Sequence, residues 1–122
     1  MFVIDSSGWI EFFTDGRFSA QYSKYFKDTA KIITPSIVLY EVYKKVKKER
    51  TEEDAMLAVS LMNKTKIISL NESLALLAAD LSLKYALPMA DAIVYATALE
   101  NNCVVITSDA HFKGLDKVVL VL

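Results

Sequence analysis

Four carboxylates in this 122-residue chain occupy places where chemistry is often done. Asp5 directly follows the apolar run Phe2-Val3-Ile4. Asp109 ends the segment Thr107-Ser108-Asp109, directly after Val104-Val105-Ile106. Asp91 falls in the first turn of a helical segment behind Pro88. Glu41 lies on the helical segment that follows the second apolar run. Each has an ordinary alternative: Asp5 and Asp109 as turn formers, Asp91 as a complement to a helix dipole, Glu41 as an i,i+4 partner of Lys45. Taken together they point elsewhere. Two carboxylates ~5 Å apart at an effective dielectric of ~20 repel by about 3 kcal/mol. Four of them would weigh heavily on a domain stable by roughly 5–15 kcal/mol, so protons or a divalent cation must offset the charge. With no cysteine or histidine cluster, an all-oxygen set suits Mg²⁺, or Mn²⁺, and argues against zinc. Such a site activates a water and neutralises charge developing on a phosphodiester.

The elements that must carry these acids are legible in the pattern. Apolar runs at Phe2–Ile4, Ile32–Ile33, Ile67–Ile68, Val104–Ile106 and Val118–Val121 are β-branched and continuous, as strands covered on both faces read. Longer helical patterns separate them, which implies an α/β fold with a mainly parallel five-stranded sheet flanked by helices. In such sheets the carboxyl ends of the strands and the neighbouring helix starts form one crevice. Thr34-Pro35 reads as a cap followed by a first-turn proline. Thr51 with Asp54 resembles a capping box. Asn71 precedes a helix over 72–85 whose Leu74, Leu77, Ala78, Leu81 and Tyr85 should face the sheet. A second stripe, Leu76 and Leu83, suits either a partner surface or cover from a neighbouring helix.

Length fits one domain spanning 1–122. Lys plus Arg is 14 and Asp plus Glu is 15, a net charge of −1, so any nucleic-acid surface must be a local patch. Lys44, Lys45 and Lys48 lie at i+3, i+4 and i+7 from Glu41 and could form one, either an RNA-backbone contact or a solvated face. The single Cys103 excludes an internal disulfide and reads as a core thiol. The first residues carry no basic leader pattern and no apolar run approaches the ~18 residues of a membrane span, so a soluble cytoplasmic protein is expected. His111, the one histidine, suits a general acid or a residue orienting the loop before Phe112. Trp9, Phe12 and Phe13 recur at helical spacing and read as core, with base stacking the alternative for Trp9.

Four segments are more specific. Val3-Ile4-Asp5-Ser6-Ser7, Pro35 to Val42 around Glu41, Pro88 to Ala98 around Asp91, and Ile106 to Phe112 around Asp109 resemble, in order and spacing, the four motifs of PIN domains. The likeness is greatest to the VapC-type toxins of prokaryotic toxin–antitoxin pairs. The acids are 36, 50 and 18 positions apart, and the resemblance covers nearly the whole chain. It implies a PIN-like three-layer fold and Mg²⁺-dependent endonucleolytic cleavage of RNA, with Asp5, Glu41, Asp91 and Asp109 as metal ligands and catalytic groups. Ser6 or Ser7, and Thr107, match hydroxyl positions that orient a ligand, water or phosphate. It further implies a cognate antitoxin, frequent homodimers, and products with 5′-phosphate and 3′-hydroxyl ends. Two rival readings stand beside it. A catalytically silent module binding RNA or an antitoxin is disfavoured by the intact acids. A phosphatase of the haloacid-dehalogenase type needs a second aspartate two residues after the first, where this chain has Ser7.

Overall fold

The computed structural model describes all 122 residues. Five strands, β1 (Phe2–Ile4), β2 (Ile32–Pro35), β3 (Lys66–Ile68), β4 (Val104–Thr107) and β5 (Val118–Leu120), form one sheet in the order β3-β2-β1-β4-β5. Every neighbouring pair is parallel. Six helices connect them: α1 (Ser6–Thr14), α2 (Ser19–Ser23), α3 (Ser36–Glu49), α4 (Glu52–Met62), α5 (Glu72–Tyr85) and α6 (Met89–Glu100). The chain moves outward from β1 to β3, then returns to β4 and β5. Right-handed crossovers therefore send α1–α4 to one face and α5 and α6 to the other, giving three layers. No single helix is long and apolar enough to cross a membrane.

The direction of travel reverses at β1, between β2 and β4. Phe2 pairs with Ile32 on one side and Val104 on the other, and Ile4 stands opposite Ile106. The carboxyl ends of β1 and β4 thus open onto a switch point, where loops diverge and leave a crevice. The floor is rigid: Val3, Ile4, Ile32, Ile33, Val105 and Ile106 are all buried. Only these central strands are covered on both faces. β3 and β5 are three-residue edges, with Lys66 exposed and Val119 at 40 %, short enough to limit edge pairing.

α6 explains how Asp91 is held. Its residues Ala92–Ala98 are all buried, so this helix is enclosed between the sheet and α5 rather than resting on a surface. Pro88 takes the N-cap position and Asp91 falls in the first turn. Asn71 caps α5 by accepting from the Leu74 amide at 2.9 Å, and Thr51 caps α4 by accepting from the Asp54 amide at 3.0 Å.

Several details depart from the sequence reading. Thr34 is not a helix cap: it lies inside β2, fully buried, and its hydroxyl meets that of Thr65 at 2.6 Å. Pro35 ends the strand and stands at the N-cap of α3, one step before its first turn. Tyr85 does not face the sheet but stands 38 % exposed at the end of α5, edge-on to Tyr95. No neighbouring helix covers Leu76 and Leu83, which are 65 % and 86 % exposed. Trp9 is wholly buried, with Phe26 at 4.8 Å and Phe13 at 5.9 Å between ring centres, so it belongs to the core and no base can reach it. Cys103 is buried, as expected.

Candidate active site

The other groups of the site are arranged around Asp5. It ends β1, caps α1, and is 3 % exposed. The Ser6 amide donates to its Oδ1 at 2.8 Å, and the Thr107 hydroxyl donates to its Oδ2 at 2.9 Å. Ser7 Oγ adds a longer contact of 3.5 Å to Oδ2. Burial raises the proton affinity of this carboxyl strongly. The Thr107 and Ser6 bonds oppose the rise, Asp91 and Glu41 add to it, and the net effect is a pKa of about 7.

The other acids share that field. Glu41, on α3, has its pKa raised by burial and by Asp91 and Asp109, with the Ser6 side chain pulling the other way. Asp91 is raised by burial and by Asp109, against the pull of His111. The structure therefore brings together carboxylates from the ends of β1 and β4, the middle of α3 and the start of α6, close enough to perturb one another. Asp109 turns back on itself, its Oδ1 accepting from the His111 amide at 2.9 Å. Its own amide donates to Thr107 Oγ1 at 2.9 Å, so Thr107 links Asp5 to the Asp109 loop.

His111 does more than orient its loop. Its Nδ1 lies 2.9 Å from Asp91 Oδ2 and 3.1 Å from Asp109 Oδ1. The Asp91 bond and the nearby Asp109 charge raise its pKa, favouring the charged form of the imidazole between the two acids. Ligand atoms of Asp91, Asp109 and His111 all fall within 4.8 Å of one another, the dimension of a cation site. The sequence offered no sign of this, because the contact between His111 and Asp91 depends on how the turn after β4 closes.

One further residue of the site carries no mark in the sequence. Tyr22, on α2, is fully buried, and its hydroxyl lies 2.7 Å from Ser108 Oγ. The Ser108 amide in turn reaches Ser7 Oγ at 3.4 Å. Tyr22 is seated by Gly8: a Cβ there would come within 2.5 Å of the Tyr22 ring and 2.6 Å of Ile4. Nothing in the stretch Ser19-Ala20-Gln21-Tyr22-Ser23 marks this tyrosine out, since its partner is 86 positions away.

The acids open into a groove of about 580 Å³. Asp5, Ser6, Ser7, Glu41 and Asp109 line one part of it, and Tyr40, Lys44, Lys45 and Lys48 extend it along α3. The three lysines are thus joined to the acidic site, but they are not equivalent. Lys45 pairs with Glu49 at 3.0 Å, not with Glu41. Lys44 leans over the Tyr40 ring, and Lys48 carries no ion pair.

Residues 2–118 match the PIN domain family. The chain belongs to the PIN domain family. No curated protein matches it. Among solved structures, a toxin–antitoxin complex from Klebsiella pneumoniae is similar at a TM-score of 0.84 and 24 % identity, covering 100 % of this chain and 98 % of that one. DNA-bound VapBC from Salmonella typhimurium is similar at 0.77 and 15 %, covering 98 % and 95 %. The sarcin-ricin loop cleaving toxin VapC20 of Mycobacterium tuberculosis is similar at 0.76 and 12 %, covering 93 % and 92 %. These likenesses establish the PIN fold from end to end of the chain.

Proposed function

We propose that this PIN domain is a divalent-metal-dependent endoribonuclease, the toxin of a toxin–antitoxin pair. The observation that carries the reading is the convergence of four carboxylates from four separate elements, each of Asp5, Glu41 and Asp91 holding protons more tightly first because of burial and then because of neighbouring acids. A protein maintains such a cluster at a cost in stability, which a cation removes. The donor set fits Mg²⁺ or Mn²⁺: carboxylate oxygens dominate, with the one imidazole of His111 at the edge. Asp5, Asp91, Asp109 and Glu41 would hold the ion, which supplies an activated water and neutralises charge on the phosphodiester. The chain's own part is positional. Thr107 and the Ser6 amide fix Asp5, Thr107 and the His111 amide fix Asp109, and the lysines on α3 draw phosphates along the groove.

The similarity to toxin–antitoxin complexes supports a cognate antitoxin as partner. It would inhibit by placing a basic side chain, most simply Arg, among the acids, since Arg matches carboxylates in bidentate fashion. A homodimer in the cytoplasm, with the exposed Leu76 and Leu83 available for burial, completes the reading.

The test is cleavage of end-labelled RNA by purified protein. Cleavage is expected with Mg²⁺ or Mn²⁺, with none in EDTA and none by Asp5→Asn or Asp91→Asn. Equal cleavage in chelator would remove the metal mechanism, and active variants would remove the site.

A further inference from the structure

Tyr40 stands immediately before Glu41 on α3, so their Cα atoms are about 3.8 Å apart. The two side chains leave the helix in different directions. Glu41 turns into the acidic cluster, while Tyr40 remains 57 % exposed on the wall of the same groove. Lys44, one turn on, holds its ammonium 5.5 Å from the centre of the Tyr40 ring and 3.4 Å from its hydroxyl. Along this row the order is aromatic ring, cation, cation: Tyr40, Lys44, Lys48. The neighbouring row, Glu41, Lys45, Glu49, is internally neutralised past the acid site by the Lys45–Glu49 pair. A large exposed aromatic is costly to leave in water, and the core does not use this one.

We propose that Tyr40 is a stacking platform for the nucleobase next to the phosphate engaged by the acids, with Lys44 and Lys48 contacting the phosphates that follow. The ring lines the same groove as the acids, and Lys44 and Lys48 line it too, one and two turns further along α3. A base inside a duplex is already stacked on its neighbours and cannot use this platform, so the site selects an unpaired nucleotide. Lys44 contributes in two ways, as a cation on the ring that holds its orientation and as a phosphate contact. This inference rests on the ribonuclease reading above.

The experiment measures binding, in Mg²⁺, by protein carrying Asp5→Asn so that RNA is not cut. The probes are a fluorescently labelled ten-residue oligoadenylate and the same strand paired with oligouridylate. Adding Tyr40→Ala is expected to weaken single-strand binding by roughly 5- to 100-fold, the range for losing one base–aromatic stack, and to leave duplex binding within about twofold. Tyr40→Phe and Tyr40→Trp should restore single-strand affinity, because both keep the ring. Single-strand binding unaltered by Tyr40→Ala would overturn the proposal. So would a loss in Tyr40→Phe as large as in Tyr40→Ala, which would assign the effect to the hydroxyl, or an equal loss on duplex. If the Asp5→Asn parent binds neither probe, the ribonuclease reading falls as well, an outcome distinct from failure of Tyr40 alone.

Discussion

Thr107 Oγ1 donates a 2.9 Å hydrogen bond to Asp5 Oδ2 and accepts one of the same length from the Asp109 amide. One hydroxyl thus fixes two carboxylates that come from opposite ends of the chain. Thr107→Val keeps the shape and removes both bonds inside a fully buried environment. The expected loss is about 1–3 kcal/mol of folding stability, read from urea melts. Because the Thr107 bond favours the charged form of Asp5, its removal should also move the acidic limb of the pH–rate profile upward. Thr107→Ser should recover most of both effects. An unmoved pH limb in Thr107→Val would show that the hydroxyl supports the fold and not the acid.

Asp5 gives a pH dependence of definite sign. Its pKa is about 7 in the folded chain against 3.8 for the ordinary group. Between those values the folded protein binds the proton more tightly than the unfolded chain does, so stability is greatest at the acid end and is lost as pH rises through about 7. Glu41, Asp91 and His111 are also raised, and they act in the same direction. Metal-free protein should therefore be more stable near pH 5 than near pH 8, with Asp5 contributing on the order of 2–4 kcal/mol. Asp5→Asn should flatten this dependence and melt no lower than wild type at pH 8. Excess Mg²⁺ or Mn²⁺ should raise the wild-type melting temperature at pH 8 and leave Asp5→Asn little changed. A metal-free wild type that gains stability from pH 5 to 8 would contradict the electrostatic account.

The lysine row yields a count. Each phosphate contact contributes about 0.7 to the salt slope of log K on a single strand. Lys45, in the neighbouring row, is engaged by Glu49, so the two free cations are Lys44 and Lys48. Replacing Lys44 and Lys48 together with Ala should flatten the slope by about 1.4, and adding Lys45→Ala should change it much less. Binding titrations across a salt series in the Asp5→Asn background would measure this. Equal increments from all three lysines would mean that RNA displaces Glu49. No change would assign the row to solvent.

Tyr22→Phe isolates the hydroxyl that meets Ser108 while keeping the ring packed against Gly8 and Ile4. A loss of about 1 kcal/mol in stability is expected. If the bond positions the Ser7 and Ser108 loops around Asp5, kcat should fall roughly tenfold, as for other supports of metal ligands, with the RNA dissociation constant unchanged. A stability loss with intact kcat would make Tyr22 a packing residue only.

What could be read from the sequence follows from locality. An apolar β-branched run that ends in aspartate gives both the strand and the place of the acid, which is why Asp5 and Asp109 were legible. Asn71 and Thr51 were legible because a cap bonds within three residues. Thr34 was misread because a threonine before a proline looks the same whether its hydroxyl caps a helix or meets Thr65, 31 positions away. The links of Tyr22 to Ser108 and of His111 to Asp91 are of that same long-range kind. The pairing of Lys45 with Glu49 was within reach, since both Glu41 and Glu49 stand four residues from Lys45, and only the folded acid site shows that Glu41 is already occupied.

The strand order also sets a schedule. β1 is made first, yet its second neighbour β4 begins about a hundred residues later, and Asp5 acquires its Thr107 partner across 102 positions. During synthesis the early chain can pair β1 with β2 and β2 with β3, which leaves β1 as an open edge and Asp5 without its Thr107 bond. The crevice closes only when α6, β4 and the His111 turn have all left the ribosome. For a chain whose proposed substrate is RNA, the site proposed to cut is thus among the last parts of the molecule to be assembled, and a product truncated before Val104 would lack it.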